Sequence, residues 1–192
     1  MNDQIVEEQD SVATPPAFAL TSGRVRGYHR AAVDTFLASA RAAFEDEGEV
    51  SAVDVRTASF PLVKGGYVVA DVDAALSRVE DAFAARERDR AVRSSGAGAW
   101  VDHARNDAQV ILDHLARPRR RRFARTGVLT FGYRVDEVDH VAARIVKYLR
   151  DGEALTVEQL RSAAFRMQRG GYREEQVDAL LDATIDVILA VR

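Results

Sequence analysis

Gly27-Tyr28-His29-Arg30-Ala31-Ala32-Val33-Asp34 decides the reading of this chain, because its frame of Gly-Tyr, four residues, Val-Asp occurs four times. The other copies are Gly66-Tyr67 to Val72-Asp73, Gly132-Tyr133 to Val138-Asp139, and Gly171-Tyr172 to Val177-Asp178. Repeats come first in reading a fold, since missing them misassigns everything else. A Phe precedes each copy: Phe18 and Phe123 stand ten residues before their Tyr, Phe60 and Phe165 seven. Copies one and three therefore match, as do two and four, with a common offset of 105 residues between Phe18 and Phe123 and between Phe60 and Phe165. The spacing predicts a tandem duplication of a two-motif unit.

Each copy reads as a loop entering a helix. Gly supplies the positive φ or the close approach that a tight turn needs. After the Tyr, apolar residues recur at helical spacing: Val33, Phe36 and Leu37; Val72, Ala75, Leu76 and Val79; Val138, Val141 and Ile145; Val177, Leu180, Leu181 and Ile188. Such a stripe must be buried. Tyr28, Tyr67, Tyr133 and Tyr172 read as module core, each hydroxyl satisfied locally. Asp34, Asp73, Asp139 and Asp178 read as first-turn charges favoured by the helix dipole rather than as acid–base or metal-binding groups.

The second motif of each unit has its own leading helix. Ser51 and Asp54 form a capping-box pair, with Val50 and Val55 as staple; Leu155, Thr156, Gln159 and Leu160 repeat the arrangement. The leading helices are expected at 52–59 and 157–164. Arg93 to Gly98 reads as a flexible break, followed by a helix at 99–116 carrying Val101, Ala104, Ala108, Ile111 and Leu115 on one stripe and ended by Pro118. Trp100 reads as core. The organisation expected is an all-α protein: an acidic, disordered 1–17 ending at Pro15-Pro16; a repeat pair over 18–91; a helical, Arg-rich linker over 92–122; and a second repeat pair over 123–192.

Composition narrows the function. The absence of Cys excludes disulfides, a thiolate nucleophile and Cys-based zinc. His29, His103, His114 and His140 share no metal-ligand spacing, and no phosphate loop, nucleophile elbow or HExxH is present. No cofactor is expected and no catalysis. Residues 1–10 are acidic without an apolar core, and no apolar run approaches the roughly 20 residues that span a bilayer, so a cytoplasmic protein is expected. The net charge of −3 gives no global pull toward nucleic acid. Of 27 basic residues only Lys64 and Lys147 are Lys, so Arg excess alone carries little weight. The one charge concentration, Arg117, Arg119, Arg120, Arg121, Arg122 and Arg125, reads two ways: a site for an anionic partner, or a solvated linker.

The segment from Leu155 through Phe165, Gly171-Tyr172 and Val177-Asp178 to Leu181 resembles the N-terminal domain of DivIVA-type proteins, and Val50 to Leu76 repeats the likeness. The resemblance implies a non-catalytic scaffold for cell division, cell shape or polar growth. It also implies parallel pairing of modules, coiled-coil assembly, binding at the inner membrane face of septum or poles, and recruitment of division and wall-synthesis proteins. With two units in one chain, pairing is expected either between copies or within the chain as a pseudo-dimer.

In that family an apolar and a basic residue before Gly-Tyr form a tip that enters lipid. Val25 and Arg26 fit; Phe131 brings the apolar group alone. Lys64 and Arg169 keep the charge, with Leu62, Val63 and Met167 nearby. The family's long C-terminal coiled coil is not found before Arg192. The competing function is nucleic-acid binding through the Arg cluster.

Overall fold

The structure, a computed structural model, describes residues 17–45 and 50–191. The segment 1–17 expected to be disordered lies, apart from Ala17, outside the described residues. The chain is mostly helical, and it forms two compact units, Met1–Glu80 and Asp81–Arg192.

In the first unit, β1 (Arg26–Tyr28) leads into α1 (Arg30–Glu45), followed by α2 (Ala52–Arg56), β2 (Leu62–Lys64) and α3 (Val69–Ser95), a 27-residue helix that continues past Glu80. β1 and β2 pair antiparallel, with Arg26 opposite Lys64, Gly27 opposite Val63 and Tyr28 opposite Leu62. The Gly-Tyr segments are therefore not plain loops. Motif one is a strand, and motif two follows a strand and bridges it through Tyr67. The core gathers Val33, Tyr67 and Val72, with Phe18, Tyr28, Leu37, Phe60 and Leu76 packed around them.

The second unit begins within α3 and continues with α4 (Ala97–Leu115), β3 (Phe131–Tyr133), α5 (Val135–Asp151), α6 (Val157–Arg161), β4 (Met167–Arg169) and α7 (Glu174–Ala190). β3 and β4 pair with Phe131 opposite Arg169, Gly132 opposite Gln168 and Tyr133 opposite Met167. α4 packs on α5 and α7, and α6 on α7. Ile111, Leu115, Val138, Ile145, Leu160 and Ile188 are buried among them.

Local chemistry explains the helix ends. Ser51 and Thr156 both cap through full capping boxes with Asp54 and Gln159. The leading helices are shorter than expected, ending at Arg56 and Arg161. The residues beyond must extend to reach the strands. The break expected over Arg93–Gly98 is one residue wide: α3 runs to Ser95, and Gly96 alone, at φ 86°, separates it from α4. Ala104, Ile111 and Leu115 are buried as the stripe requires, but Val101 is half exposed. Trp100 is half-buried, its indole N–H donating to the Ala190 carbonyl at 2.9 Å.

Candidate functional site

The four motif glycines are required by close approach. A Cβ on Gly27 would stand 2.1 Å from the Tyr67 carbonyl oxygen, on Gly66 2.4 Å from that of Tyr28, on Gly132 2.3 Å from that of Tyr172, and on Gly171 2.4 Å from that of Gly132. Positive φ falls instead on the preceding glycines, Gly65 at 65° and Gly170 at 62°. The double Gly thus divides the labour: the first turns the chain, the second lets two backbones touch.

The tyrosines and aspartates exchange partners within each unit. The Tyr67 hydroxyl donates to Asp34 at 3.0 Å, Tyr172 to Asp139 at 3.3 Å and Tyr133 to Asp178 at 3.4 Å, and Asp73 is the carboxylate beside Tyr28. Each motif's phenol therefore rests on the other motif's helix. Burial first, and then the neighbouring carboxylate, pushes the Tyr28, Tyr133 and Tyr172 phenols above their ordinary range. Burial likewise raises Asp178. All four aspartates occupy the fifth helical position, past the first turn. Their role is phenol acceptor, which corrects the reading of them as dipole charges. First-turn acids lie elsewhere, at Asp71, Asp136, Glu137, Glu174 and Glu175.

With that lock in place, each two-stranded ribbon projects a tip. In the first unit a turn closes with Val25 N–H donating to the Ser22 carbonyl, just before Arg26, which pairs with Lys64. Its exposed side chains include Arg24, Val25, Arg26, Leu62 and Lys64. Val63 is half-buried, because alternation along β2 turns it opposite to Leu62 and Lys64. In the second unit the same turn closes from Thr130 N–H to the Gly127 carbonyl at 2.9 Å. It carries Val128 and Leu129, each 82% exposed, together with Phe131 and Met167, about half exposed. The Arg169 guanidinium lies 5.6 Å from the Phe131 ring centre. The first tip thus carries more charge, and the second more exposed apolar surface, with Arg169 beside it. Val128 and Leu129 were not singled out from the sequence; the available signal was two apolar residues in succession between Gly127 and Thr130.

The Arg cluster is divided. Arg122 turns inward, its guanidinium 3.3 Å from Asp139 and also bonded to the Leu115 carbonyl. Arg117 donates to the Arg122 carbonyl and Arg125 to the Gly170 carbonyl. Arg119, Arg120 and Arg121 are exposed. Arg120 has a positive φ of 67°, and its backbone N–H reaches Asp139 at 2.7 Å.

Two partly buried ion pairs of the leading helices were also not foreseen. Arg56 pairs with Glu80 at 2.7 Å, and Arg161, its equivalent at the 105-residue offset, with Asp81 at 3.0 Å. No group of three or more His, Asp or Glu that could hold a metal ion occurs among the described residues. No helix among them is long and apolar enough to cross a membrane. No protein-family model, curated protein or solved structure matches this chain.

Proposed function

We propose that this protein is a non-catalytic scaffold of the DivIVA kind, a tandem duplication of one ribbon-and-helix module whose tips are its contact surfaces. The observation that carries this reading is the paired geometry. Thr21 N–H to Gly66 carbonyl and Thr126 N–H to Gly171 carbonyl are both 2.8 Å. The Phe18–Tyr67 and Phe123–Tyr172 rings both meet edge-on at 5.2 Å. Such agreement at a constant offset of 105 supports descent from one module, and a rigid module with an exposed apolar tip suits docking rather than turnover.

The partners are a protein of the division or wall-synthesis machinery and, through the tips, the anionic inner face of the membrane at septum or poles. Burying Val128, Leu129 and Phe131 would contribute about 5–9 kcal/mol before the entropy of association is subtracted. The basic tip would add about 1 kcal/mol per charge near an anionic surface. The nucleic-acid alternative has less support, since Arg117, Arg122 and Arg125 are engaged within the protein.

The test is the position of a fluorescent fusion in dividing cells. Septal or polar foci that disperse in Val128→Asp with Leu129→Asp support the scaffold. A fusion spread evenly through the cytoplasm, or bound to the nucleoid, sinks it.

A further inference from the structure

Beside the second ribbon lies an open cleft of about 730 Å³ into which three separate segments bring arginines: Arg119 and Arg120 from the connection after α4, Arg134 before α5, and Arg166 before β4. Two carboxylates also line it, and both are already engaged. Arg134 donates to Asp136 at 2.7 and 3.0 Å, and Asp139 takes Arg122, the Tyr172 hydroxyl and the Arg120 N–H. Arg166 is paired with Glu137. Among the described residues no hydrogen bond or ion pair engages the guanidinium of Arg119 or Arg120.

Arg120 is the telling residue. It is the one non-glycine with positive φ among the described residues, a conformation that Gly or Asn would adopt at less cost. The backbone needs that conformation to aim the N–H at Asp139, but nothing in the fold needs a guanidinium there. An outlier kept at such a place points to use of its side chain. Planar guanidinium groups facing one cavity suit an oxyanion with several acceptor oxygens, which they bind in paired hydrogen bonds.

We propose that this cleft is a binding site for a phosphate monoester or diphosphate, held chiefly by Arg119 and Arg120 with Arg134 and Arg166 at its walls. The phosphate comes either from a free phosphorylated metabolite or from a phosphorylated side chain of a partner. Met167 lines both the cleft and the tip, but none of the four arginines is a tip residue, so the site stands or falls apart from the scaffold reading.

The test is calorimetric titration of the full chain, at about 0.15 M salt, with inorganic phosphate, pyrophosphate and a phosphothreonine peptide. Saturable binding of one equivalent is expected, strongest for whichever source is the natural one. Arg120→Gly keeps the positive φ and the N–H to Asp139 while removing the guanidinium, so folding followed by Trp100 fluorescence is expected to be intact. That variant and Arg119→Ser should each weaken binding by about tenfold, the loss of one charge-assisted contact. Arg121→Ser, exposed but outside the cleft, should leave it unchanged. No saturable binding by any of the three probes overturns the site. So does equal weakening by Arg121→Ser, which would reduce the arginines to a diffuse basic surface.

Discussion

The Tyr172 hydroxyl donates to the Asp139 carboxylate across 33 residues of sequence, and Arg122 closes on the same carboxylate oxygen. Asp139 is 1% exposed. The equivalent Tyr67–Asp34 pair has the same sequence separation, but Asp34 is exposed. The two units thus build one lock in two dielectric settings. Removing a hydroxyl from a buried charge leaves that charge under-satisfied; removing it from a solvated one lets water replace it. Tyr172→Phe is expected to destabilise the second unit by about 1.5–3 kcal/mol, and Tyr67→Phe the first by about 0.5–1.5 kcal/mol. Trp100 is the single Trp and lies in the second unit, so its fluorescence in urea reads that unit alone. A Tyr172→Phe midpoint equal to wild type would dismiss the lock.

The glycines separate two kinds of cost. Gly171→Ala forces a Cβ to 2.4 Å from the Gly132 carbonyl oxygen and must push two backbones apart. Gly170→Ala meets nothing closer than 3.9 Å and suffers only its φ of 62°. Gly127→Ala, with its nearest neighbour at 3.7 Å and ordinary φ, is unhindered. The expected order of damage is Gly171 far above Gly170, at about 1–2 kcal/mol for the left-handed backbone, and Gly127 near zero. Melting temperatures of the three variants test it; comparable losses in all three would show that turn entropy, not close approach, governs the motif.

The repeat frame made the helices and their pairing legible because it fixed both phase and partner. Val33, Val72, Val138 and Val177 are all buried where the 3.6-residue period puts them. The capping boxes at Ser51 and Thr156 were equally legible, since Asp54 and Gln159 lie three residues away. The strands were not. Arg26–Tyr28 and Leu62–Lys64 are three residues each and find each other across more than 30 positions, so neither shows an alternation long enough to read. The Tyr–Asp exchange escaped for the same reason: its partners are set by the ribbon register, not by local spacing. The inward turn of Arg122 depended on a buried Asp139 that the sequence alone does not distinguish from its three equivalents.

His114 gives the second unit an acid-sensitive contact. Its ring lies 5.0 Å from that of Phe123, and Nε2 is buried without a hydrogen-bond partner. Burial, and then the nearby Arg117 charge, holds its pKa below the ordinary value of 6.5. A depressed folded value means that the unfolded chain binds the proton first. The stabilising contribution is therefore complete above about pH 6.5 and lost as pH falls through the folded value. Below about pH 6.5 the loss is carried by His114, while Asp178, raised by burial, acts in the opposite direction as it takes up its proton. Urea midpoints of the second unit should decline as pH drops below about 6.5, and His114→Gln should flatten the decline. An unchanged slope in that variant would assign the acid response elsewhere.

The two tips predict two different salt responses. Arg24, Arg26 and Lys64 flank the exposed Val25 and Leu62, so attraction of the first tip to an anionic surface has a large Coulombic part. Such attraction is screened within about 8 Å at 0.15 M salt. Val128, Leu129 and Phe131 carry no charge, and apolar burial is not weakened by salt. Sedimentation with anionic vesicles is expected to show two components. Arg24→Ser with Arg26→Ser and Lys64→Ser should remove the part that disappears between about 0.05 and 0.5 M salt. Val128→Asp with Leu129→Asp should remove the part that persists, at about 1.5–3 kcal/mol for each large side chain no longer buried. Both variants alter only exposed residues, so their melting temperatures should match wild type. Binding that persists at high salt in Val128→Asp with Leu129→Asp would show that the apolar tip is not the contact. Failure of wild type to sediment at any salt would leave protein partners as the sole object of both tips.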